Sequence, residues 1–261
     1  MENILAIITG PERNGTTYLS KLLCSIPDIY CGFETGLLLD NDFKKCEPFN
    51  KWIHQGNEQW GVPNNIDFND KKLTFDDKYK LLFNNKGKCS VLNIHQELIF
   101  NSKFIIDKTP RYIRNLQFVR KNSKEIPILI SIKYLKDYYI SMCVKRNMDM
   151  NKFKQFYLKN IETLEWLKKE KPKNIYLFLY NDIIEQSFGN KLKKIFSSKI
   201  DLNNVNISYE NYKKKILKKT KKFVYSDWKE TPKTDIKILL DNKILKKYDT
   251  LIDELKYIFP E

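Results

Sequence analysis

Four short apolar runs, each followed by residues with helical spacing, form the framework of this chain. Each run is bounded by polar or turn-forming residues and is too short for a buried helix, so each predicts a buried strand. The runs are Ile4 to Ile8, Phe104 to Ile106, Pro127 to Ile132 and Ile175 to Leu179. Alternating strands and helices are typical of an α/β fold, in which helices flank a central parallel sheet. The third run is almost wholly apolar, which favours a central strand.

Further segments have helical periodicity, and one long segment has none. The periodic segments are Phe75 to Phe83, Val91 to Phe100, Phe153 to Leu167 and Ile244 to Ile258. Residues 41–70 are instead rich in Asn, Asp, Gly, Pro and aromatic residues. A segment of this length is uncommon as a plain connector, so we expect a structured excursion at the mouth of a site.

The first strand runs into a loop and a helix with the geometry of an anion site. Gly10 and Pro11 end the strand, and helical spacing resumes after Thr16. In this order the loop N–H groups and the helix dipole converge on one point, which suits phosphate. The spacing from Gly10 to Gly15 is that of a Walker A loop, but Thr16 replaces its lysine and the cation is Arg13. A strand-to-helix turn that binds no phosphate is the alternative interpretation.

Length and composition favour one domain spanning residues 1–261. The chain is long enough for one sizeable core, and no repeat or low-complexity linker divides it. The N-terminus lacks the pattern of a signal peptide, and no uninterrupted apolar run approaches ~18 residues, so we expect a cytoplasmic protein without integral membrane contact. Five cysteines without paired close spacing, and two histidines, predict neither a disulfide framework nor a metal site.

The net charge of +15 is large and comes mostly from lysines in the second half of the chain, including Lys213 to Lys222. Such a field attracts polyanions, so a nucleic-acid-binding protein is one class to consider. A cofactor with several negative charges, or an acidic acceptor, benefits from the same field. Charge alone does not decide between these classes.

Polar residues follow the other three predicted strands. Lys108 stands just after the second strand, Lys133 after the third and Tyr180 after the fourth. In open α/β sheets the carboxyl ends of the strands are where ligands bind. Ser141 and Lys145 lie four residues apart on the helix after the third strand, and so on one face. An ordinary exposed lysine at 108 and a solvated basic helix are the alternative interpretations.

These motifs resemble those of the sulfotransferases that use 3′-phosphoadenosine 5′-phosphosulfate (PAPS). The first loop of that family reads (R/K)-S-G-T-T, and here the run is Arg13-Asn14-Gly15-Thr16-Thr17. Lys-Thr-Pro-Arg-Tyr at 108–112 is similar to the family's E-K-T-P-x-Y, and Tyr-Asn-Asp-Ile at 180–183 to its Y-E-D-L. The resemblance implies a sulfuryl transferase with PAPS as donor and 3′-phosphoadenosine 5′-phosphate (PAP) as product.

The motif for the 3′-phosphate departs from the family. That motif is R-D-P followed by a serine eight positions after the arginine. Lys133 and Ser141 keep the separation, but lysine replaces arginine, and Tyr134-Leu135 replaces Asp-Pro. A lysine meets phosphate as a point charge without the bidentate fork, so either affinity is reduced or another cation helps. Lys145 is the candidate helper.

The resemblance also assigns roles to single residues. It implies that backbone amides of Asn14, Gly15, Thr16 and Thr17 hold the 5′-phosphate. It implies further that Lys108 bridges the sulfonyl group and the leaving phosphate, with Arg13 stabilising the same charge. Tyr180 is then a contact of the nucleotide, and no metal is required.

Glu34 resembles the proposed catalytic base of the family branch that includes the tyrosylprotein sulfotransferases. That branch carries a Cys-Gly-x-Glu-Thr-like run, here residues 31–35, and Glu34 lies 21 positions after Arg13. Without the resemblance, this glutamate fits the first turn of a helix equally well. His95 is a weaker candidate, because some cytosolic sulfotransferases use histidine as base.

We therefore expect a PAPS-dependent sulfotransferase that acts by in-line displacement on a hydroxyl acceptor. A glycan is the first choice of acceptor and a protein tyrosine the second, and the basic surface suits an acidic form of either. Thr16 in the lysine position speaks against a P-loop nucleotide kinase. Nucleic acid is not expected as a partner. Near the end, Ser226-Asp227-Trp228 resembles the family's S-x-W, and the last helix resembles its closing helix.

Overall fold

Five parallel strands form a sheet in the part of the chain that the structure describes. The computed structural model describes residues 4–31, 34, 36–40, 74, 103–185, 187–203, 205–220 and 242–259. The strands are β1 (Ile4–Thr9), β2 (Ile29–Cys31), β3 (Phe104–Lys108), β4 (Ile128–Ile132) and β5 (Ile175–Leu179). They lie in the order β2-β3-β1-β4-β5, and every pair is parallel. The predicted α/β fold with a central parallel sheet is confirmed.

The four predicted strands are all present, and β2 is an addition to them. β2 pairs with β3 from Ile29 opposite Phe104 to Cys31 opposite Ile106. Three residues are too few to show a readable apolar alternation, so the pattern of the chain does not predict this strand. It occupies one edge of the sheet.

Helices connect and cover the strands. Their bounds are α1 (Thr16–Leu23), a 3₁₀ helix (Pro110–Asn115), α2 (Leu116–Ser123), α3 (Leu135–Tyr139), a π-helical turn (Ile140–Val144), α4 (Met150–Glu170), α5 (Tyr180–Glu185), α6 (Gly189–Phe196), α7 (Tyr209–Thr220) and α8 (Asn242–Ile258). The helices predicted around 153–167 and 244–258 are confirmed and are longer than expected. The helix predicted to contain Ser141 and Lys145 ends at Val144 instead.

Apolar residues cover both faces of the sheet, because neighbouring residues of a strand point to opposite sides. Ile7 belongs to the layer on one face, and Ile8 to the layer on the other. The first layer includes Phe153 of α4 and Ile252 of α8, two helices that pack together. Leu19 of α1 lies in the second layer. β1 and β4 are buried along their whole length, as expected of central strands.

The strand order places the ends of three strands side by side. β1 lies between β3 and β4. After β1 the chain forms β2 at one edge, places β3 between β2 and β1, and then continues on the other side of β1 with β4 and β5. Ligands of open α/β sheets bind outside the carboxyl ends of the strands, where the order reverses in this way. The loop after β1 therefore lies between the polar residues that follow β3 and β4.

Several predictions from the sequence fall outside the described residues. They concern the whole excursion at 41–70, the helices at 75–83 and 91–100 with His95, and the Ser-Asp-Trp motif at 226–228. Within the described ranges, no helix combines the length and apolarity needed to cross a membrane.

The start of α4 gives a test of the fold. The Asp149 side chain accepts hydrogen bonds from the amides of Asn151 and Lys152 at 2.9 and 3.1 Å, and so caps the helix. We expect Asp149→Ala to lower the free energy of unfolding by about 1 kcal/mol, the usual effect of losing such a cap. Urea unfolding followed by circular dichroism measures it. Asp149→Asn is the control, because asparagine also caps, and equal losses in both variants would contradict the assignment.

Candidate functional site

The loop between β1 and α1 is held tightly against the end of β4. Gly10 has a φ of 151°, and a Cβ there would overlap the carbonyl oxygen of Ser131. Gly15 has a φ of 92°, and a Cβ there would lie 2.5 Å from the ring of Tyr180. Both positions therefore require glycine for conformation and for space. Arg13, between them, also has a positive φ of 67°.

Asn14 joins this loop to β4 and is fully buried. Its carbonyl oxygen accepts a hydrogen bond from Ser131 Oγ, and its Oδ1 accepts from the Lys133 amide at 2.6 Å. The backbone amide of Asn14 donates to the carbonyl oxygen of Pro11 at 3.1 Å. Of the four amides predicted to hold a phosphate, that of Asn14 is thus used within the loop. The amides of residues 15–17 stand at the start of α1, where N–H groups have no partner inside the helix.

Lys133, Ser141 and Tyr180 are brought together as the sequence predicts. Lys133 Nζ donates to Ser141 Oγ at 3.0 Å and lies 3.9 Å from the centre of the Tyr180 ring. The lysine is only 6% exposed. Its burial lowers its pKa to about 8; Asp137 opposes this shift, while the charges of Lys145 and Arg13 add to it. A buried cation with a hydroxyl beside it is suited to bind an anion.

The backbone before Lys145 has a different conformation from the predicted α-helix. The segment from Ile140 to Val144 is π-helical, and the Lys145 amide donates to the carbonyl oxygen of Ile140 at 3.0 Å. Spacing by four residues therefore does not define one face here, as it would in an α-helix. Lys145 is exposed, yet its charge lowers the pKa of Lys133.

Arg146 is a further cation of the site that sequence reasoning missed. Burial lowers the pKa of Arg13, and the charge of Arg146 lowers it further, while Tyr180 raises it. Four cations therefore interact here: Arg146 acts on Arg13, and both Arg13 and Lys145 act on Lys133. Their mutual repulsion favours an anion that carries more than one charge.

Glu34 and Lys108 form an ion pair at the end of β3. Lys108 Nζ lies 2.7 Å from Glu34 Oε1, and the two side chains are 10% and 38% exposed. Lys108 lies opposite Ile8 in the sheet, close to the start of the loop after β1. The structure thus brings together two predicted residues that are 74 positions apart. The half-exposed carboxylate is open to solvent beside a buried ammonium group.

Lys21 and Asp107 are two further residues near Lys108 that the sequence analysis did not predict. Burial lowers the pKa of Lys21 and the charge of Lys108 adds to this effect, so the two ammonium groups lie near each other. In the sequence, Lys21 is an ordinary polar position of α1.

Asp107 is fully buried and bonded to the hydroxyls of Thr109 and Tyr112. A carboxylate in an apolar strand was the available signal, because such a group is buried only with partners.

The arrangement has two anion-binding parts and one carboxylate. The first part is Lys133 with Ser141, and the second is the start of α1 with Arg13 and Lys108. The carboxylate of Glu34 stands next to the second part. Such a site can bind a ligand with two separate phosphate groups and accept a proton near one of them.

One known sulfotransferase domain shares this fold. The chain is similar to the sulfotransferase domain of the Synechococcus PCC 7002 olefin synthase, with a TM-score of 0.52 and 12% identity over 95% of this chain and 94% of that one. The sulfotransferase STF9 from Mycobacterium avium gives a TM-score of 0.44 and 11% identity over 99% of this chain and 76% of that one. No protein-family profile and no curated protein matches the sequence. The first likeness agrees with the α/β fold found here.

The pKa of Lys133 predicts a pH dependence for binding. With a pKa of about 8, the ammonium is almost fully protonated at pH 7 and about one-tenth protonated at pH 9. A phosphate monoester is already mostly dianionic at pH 7, since its second pKa is about 6. We therefore expect the affinity for PAP to fall about tenfold between pH 7 and pH 9. Isothermal titration calorimetry measures it.

The control for this titration is Lys133→Met, which removes the charge at every pH. Its affinity should be low and nearly constant from pH 7 to pH 9. An equally steep fall in this variant would assign the titration to another group.

Proposed function

We propose that this protein is a sulfotransferase that transfers the sulfuryl group of PAPS to a hydroxyl acceptor. The observation that carries the proposal is the contact of buried Lys133 with Ser141, beside a phosphate-type loop. It supports a second phosphate site apart from the loop, which a donor with both a 5′- and a 3′-phosphate needs. The fold shared with sulfotransferase domains supports the same function.

The donor fits the residues of the site in charge and in number of groups. The amides at residues 15–17 would hold the 5′-phosphate, and Lys133 with Ser141 the 3′-phosphate. Lys145, whose charge acts on Lys133, would compensate for the missing arginine fork. Tyr180, which lies against Lys133 and Gly15, would contact the nucleotide between these points.

The reaction we propose is an in-line displacement at sulfur. Glu34 accepts the proton of the acceptor hydroxyl, whose oxygen forms the new bond to sulfur as the bond to the 5′-phosphate oxygen breaks. Arg13 and Lys108 stabilise the negative charge on the sulfonyl oxygens and on the leaving phosphate. The products are the sulfate ester of the acceptor and PAP.

For the acceptor we propose a glycan hydroxyl, and the tyrosine of an acidic peptide as the second candidate. The second rests on the Cys-Gly-x-Glu-Thr run at residues 31–35, and the net charge of +15 suits an acidic form of either acceptor. Transfer from labelled PAPS to sugars, phenols and acidic tyrosine peptides separates the two. Action in the cytoplasm, without nucleic acid as a partner, stays a prediction from the sequence.

The 3′-phosphate site is tested by comparing two nucleotides. We expect PAP to bind at least about tenfold more tightly than AMP in calorimetry, since a second phosphate meets a buried cation. Ser141→Ala should reduce this preference and Lys133→Met should abolish it. Equal affinities of the wild type for PAP and AMP would contradict the assignment of Lys133 and Ser141.

The role of Glu34 is tested by replacing its carboxylate with the side-chain amide of glutamine. Glu34→Gln should bind PAP as the wild type does and turn over about 100-fold more slowly, the usual effect of a lost general base. Glu162→Gln, an exposed change on α4, is the matched control and should leave turnover unaltered. Undiminished turnover in Glu34→Gln would return the role of base to His95 or to the acceptor itself.

A further inference from the structure

A fully buried carboxylate lies next to Lys108 in β3. Asp107 is 0% exposed, and its backbone lies opposite Ile7 in β1. Its Oδ1 accepts from Thr109 Oγ1 at 2.9 Å, and its Oδ2 accepts from the Tyr112 hydroxyl at 2.7 Å. Both hydroxyls follow β3 directly along the chain. The carboxylate is thus bonded through each of its oxygens.

These two bonds fix the direction of both hydroxyl groups. A hydroxyl has one hydrogen to donate, and here each donates it to Asp107. The oxygens of Thr109 and Tyr112 are therefore left as acceptors. Each accepts a backbone amide at 3.2 Å, from Gly36 and from Leu38 respectively. The carboxylate thus acts through two relays on the amides of Gly36 and Leu38. Thr109 and Gly36 are 73 residues apart along the chain, and Tyr112 and Leu38 are 74 residues apart.

The anchored amides belong to the segment that carries Glu34. Gly36, two residues further along, has a φ of 67°, and its carbonyl oxygen accepts from the Leu39 amide at 3.0 Å. The chain therefore turns at residues 36–39, and this turn is bonded to Thr109 through the Gly36 amide. Lys108 also binds this part of the chain, through the Glu34 side chain at 2.7 Å.

We propose that Asp107 is a positioning residue that fixes the Glu34 segment against Lys108 through Thr109 and Tyr112. The proposal rests on the proposed function for its catalytic consequence, because Glu34 is the base there. Asp107 touches neither donor nor acceptor in this scheme. It determines where the carboxylate of Glu34 stands relative to the attacking hydroxyl, and an error of about 1 Å in such a position can cost about 100-fold in rate.

The test uses Asp107→Asn, which keeps the size of the side chain. The new amide group donates where the carboxylate accepted, so one hydroxyl faces a donor and its own hydrogen loses its acceptor. We expect the amides of Gly36 and Leu38 to exchange with solvent at least about tenfold faster, measured by hydrogen exchange with NMR detection. We expect kcat to fall about tenfold or more, with the Kd for PAP within about twofold of wild type.

Thr109→Val and Tyr112→Phe provide independent variants if Asp107→Asn does not fold. Each removes one relay, so Thr109→Val should affect the Gly36 amide and Tyr112→Phe the Leu38 amide. Combined with Asp107→Asn, each should have a smaller effect on kcat than it has alone, because both changes act through one chain of bonds. Additive effects would contradict the relay.

Ser25→Ala is the matched control for a lost buried hydrogen bond. Ser25 Oγ donates to the carbonyl oxygen of Leu22 at 2.6 Å, at the end of α1. This variant should lose stability while keeping kcat and the exchange of Gly36 and Leu38. A general loss of packing would lower kcat here as well, and would count against a specific role of Asp107.

The outcomes separate this proposal from the proposed function. Unchanged exchange at Gly36 and Leu38 in Asp107→Asn overturns the positioning role, whatever the protein catalyses. Faster exchange with unaltered kcat overturns its catalytic consequence. If the wild type transfers no sulfuryl group from PAPS, the proposed function fails, while the exchange of the two amides still decides whether Asp107 fixes the segment.

Discussion

The close contact between the loop after β1 and the end of β4 is the constraint on which the candidate site depends. Gly10 permits the approach, since any side chain there would overlap the backbone of Ser131. Buried Asn14 then bonds the loop to Ser131 and to the amide of Lys133. The start of α1 and the side chain of Lys133 therefore have one rigid base. Two groups suited to bind anions, one after β1 and one after β4, acquire a fixed relation in this way.

Placing Lys133 in this base has an electrostatic cost. Its pKa of about 8 reflects burial first, and then the repulsion of Lys145 and Arg13 against the attraction of Asp137. Arg13 is subject to similar effects, from burial and from Arg146. Such a group of cations weakens the folded state when no anion is present, and a bound anion relieves the repulsion. Perturbed pKa values of this kind cluster at functional sites.

Local patterns predicted the strands, the loop and the residues at the strand ends, because each depends on a few neighbouring residues. β2, with three residues, is defined by its pairing with β3 and not by its own sequence. The π-helical turn before Lys145 likewise changes which residues share a face of the helix, and the spacing of apolar residues does not predict this turn. The ties of Asp107 to the segment after Glu34 join residues more than 60 positions apart, so only the folded chain brings them together.

Two of the departures from the motifs of the PAPS-dependent sulfotransferases, which the chain resembles, meet at one place in the fold. Asparagine stands at 14 where the motif has serine, and lysine at 133 where it has arginine. Asn14 Oδ1 accepts from the backbone amide of residue 133, at 2.6 Å, and not from its side chain. The bond thus fixes the strand end from which Lys133 starts, without dictating the side chain. The Lys133 side chain is held separately, by Ser141 Oγ at 3.0 Å and by the Tyr180 ring at 3.9 Å, so it has less conformational entropy left to lose when it meets an anion.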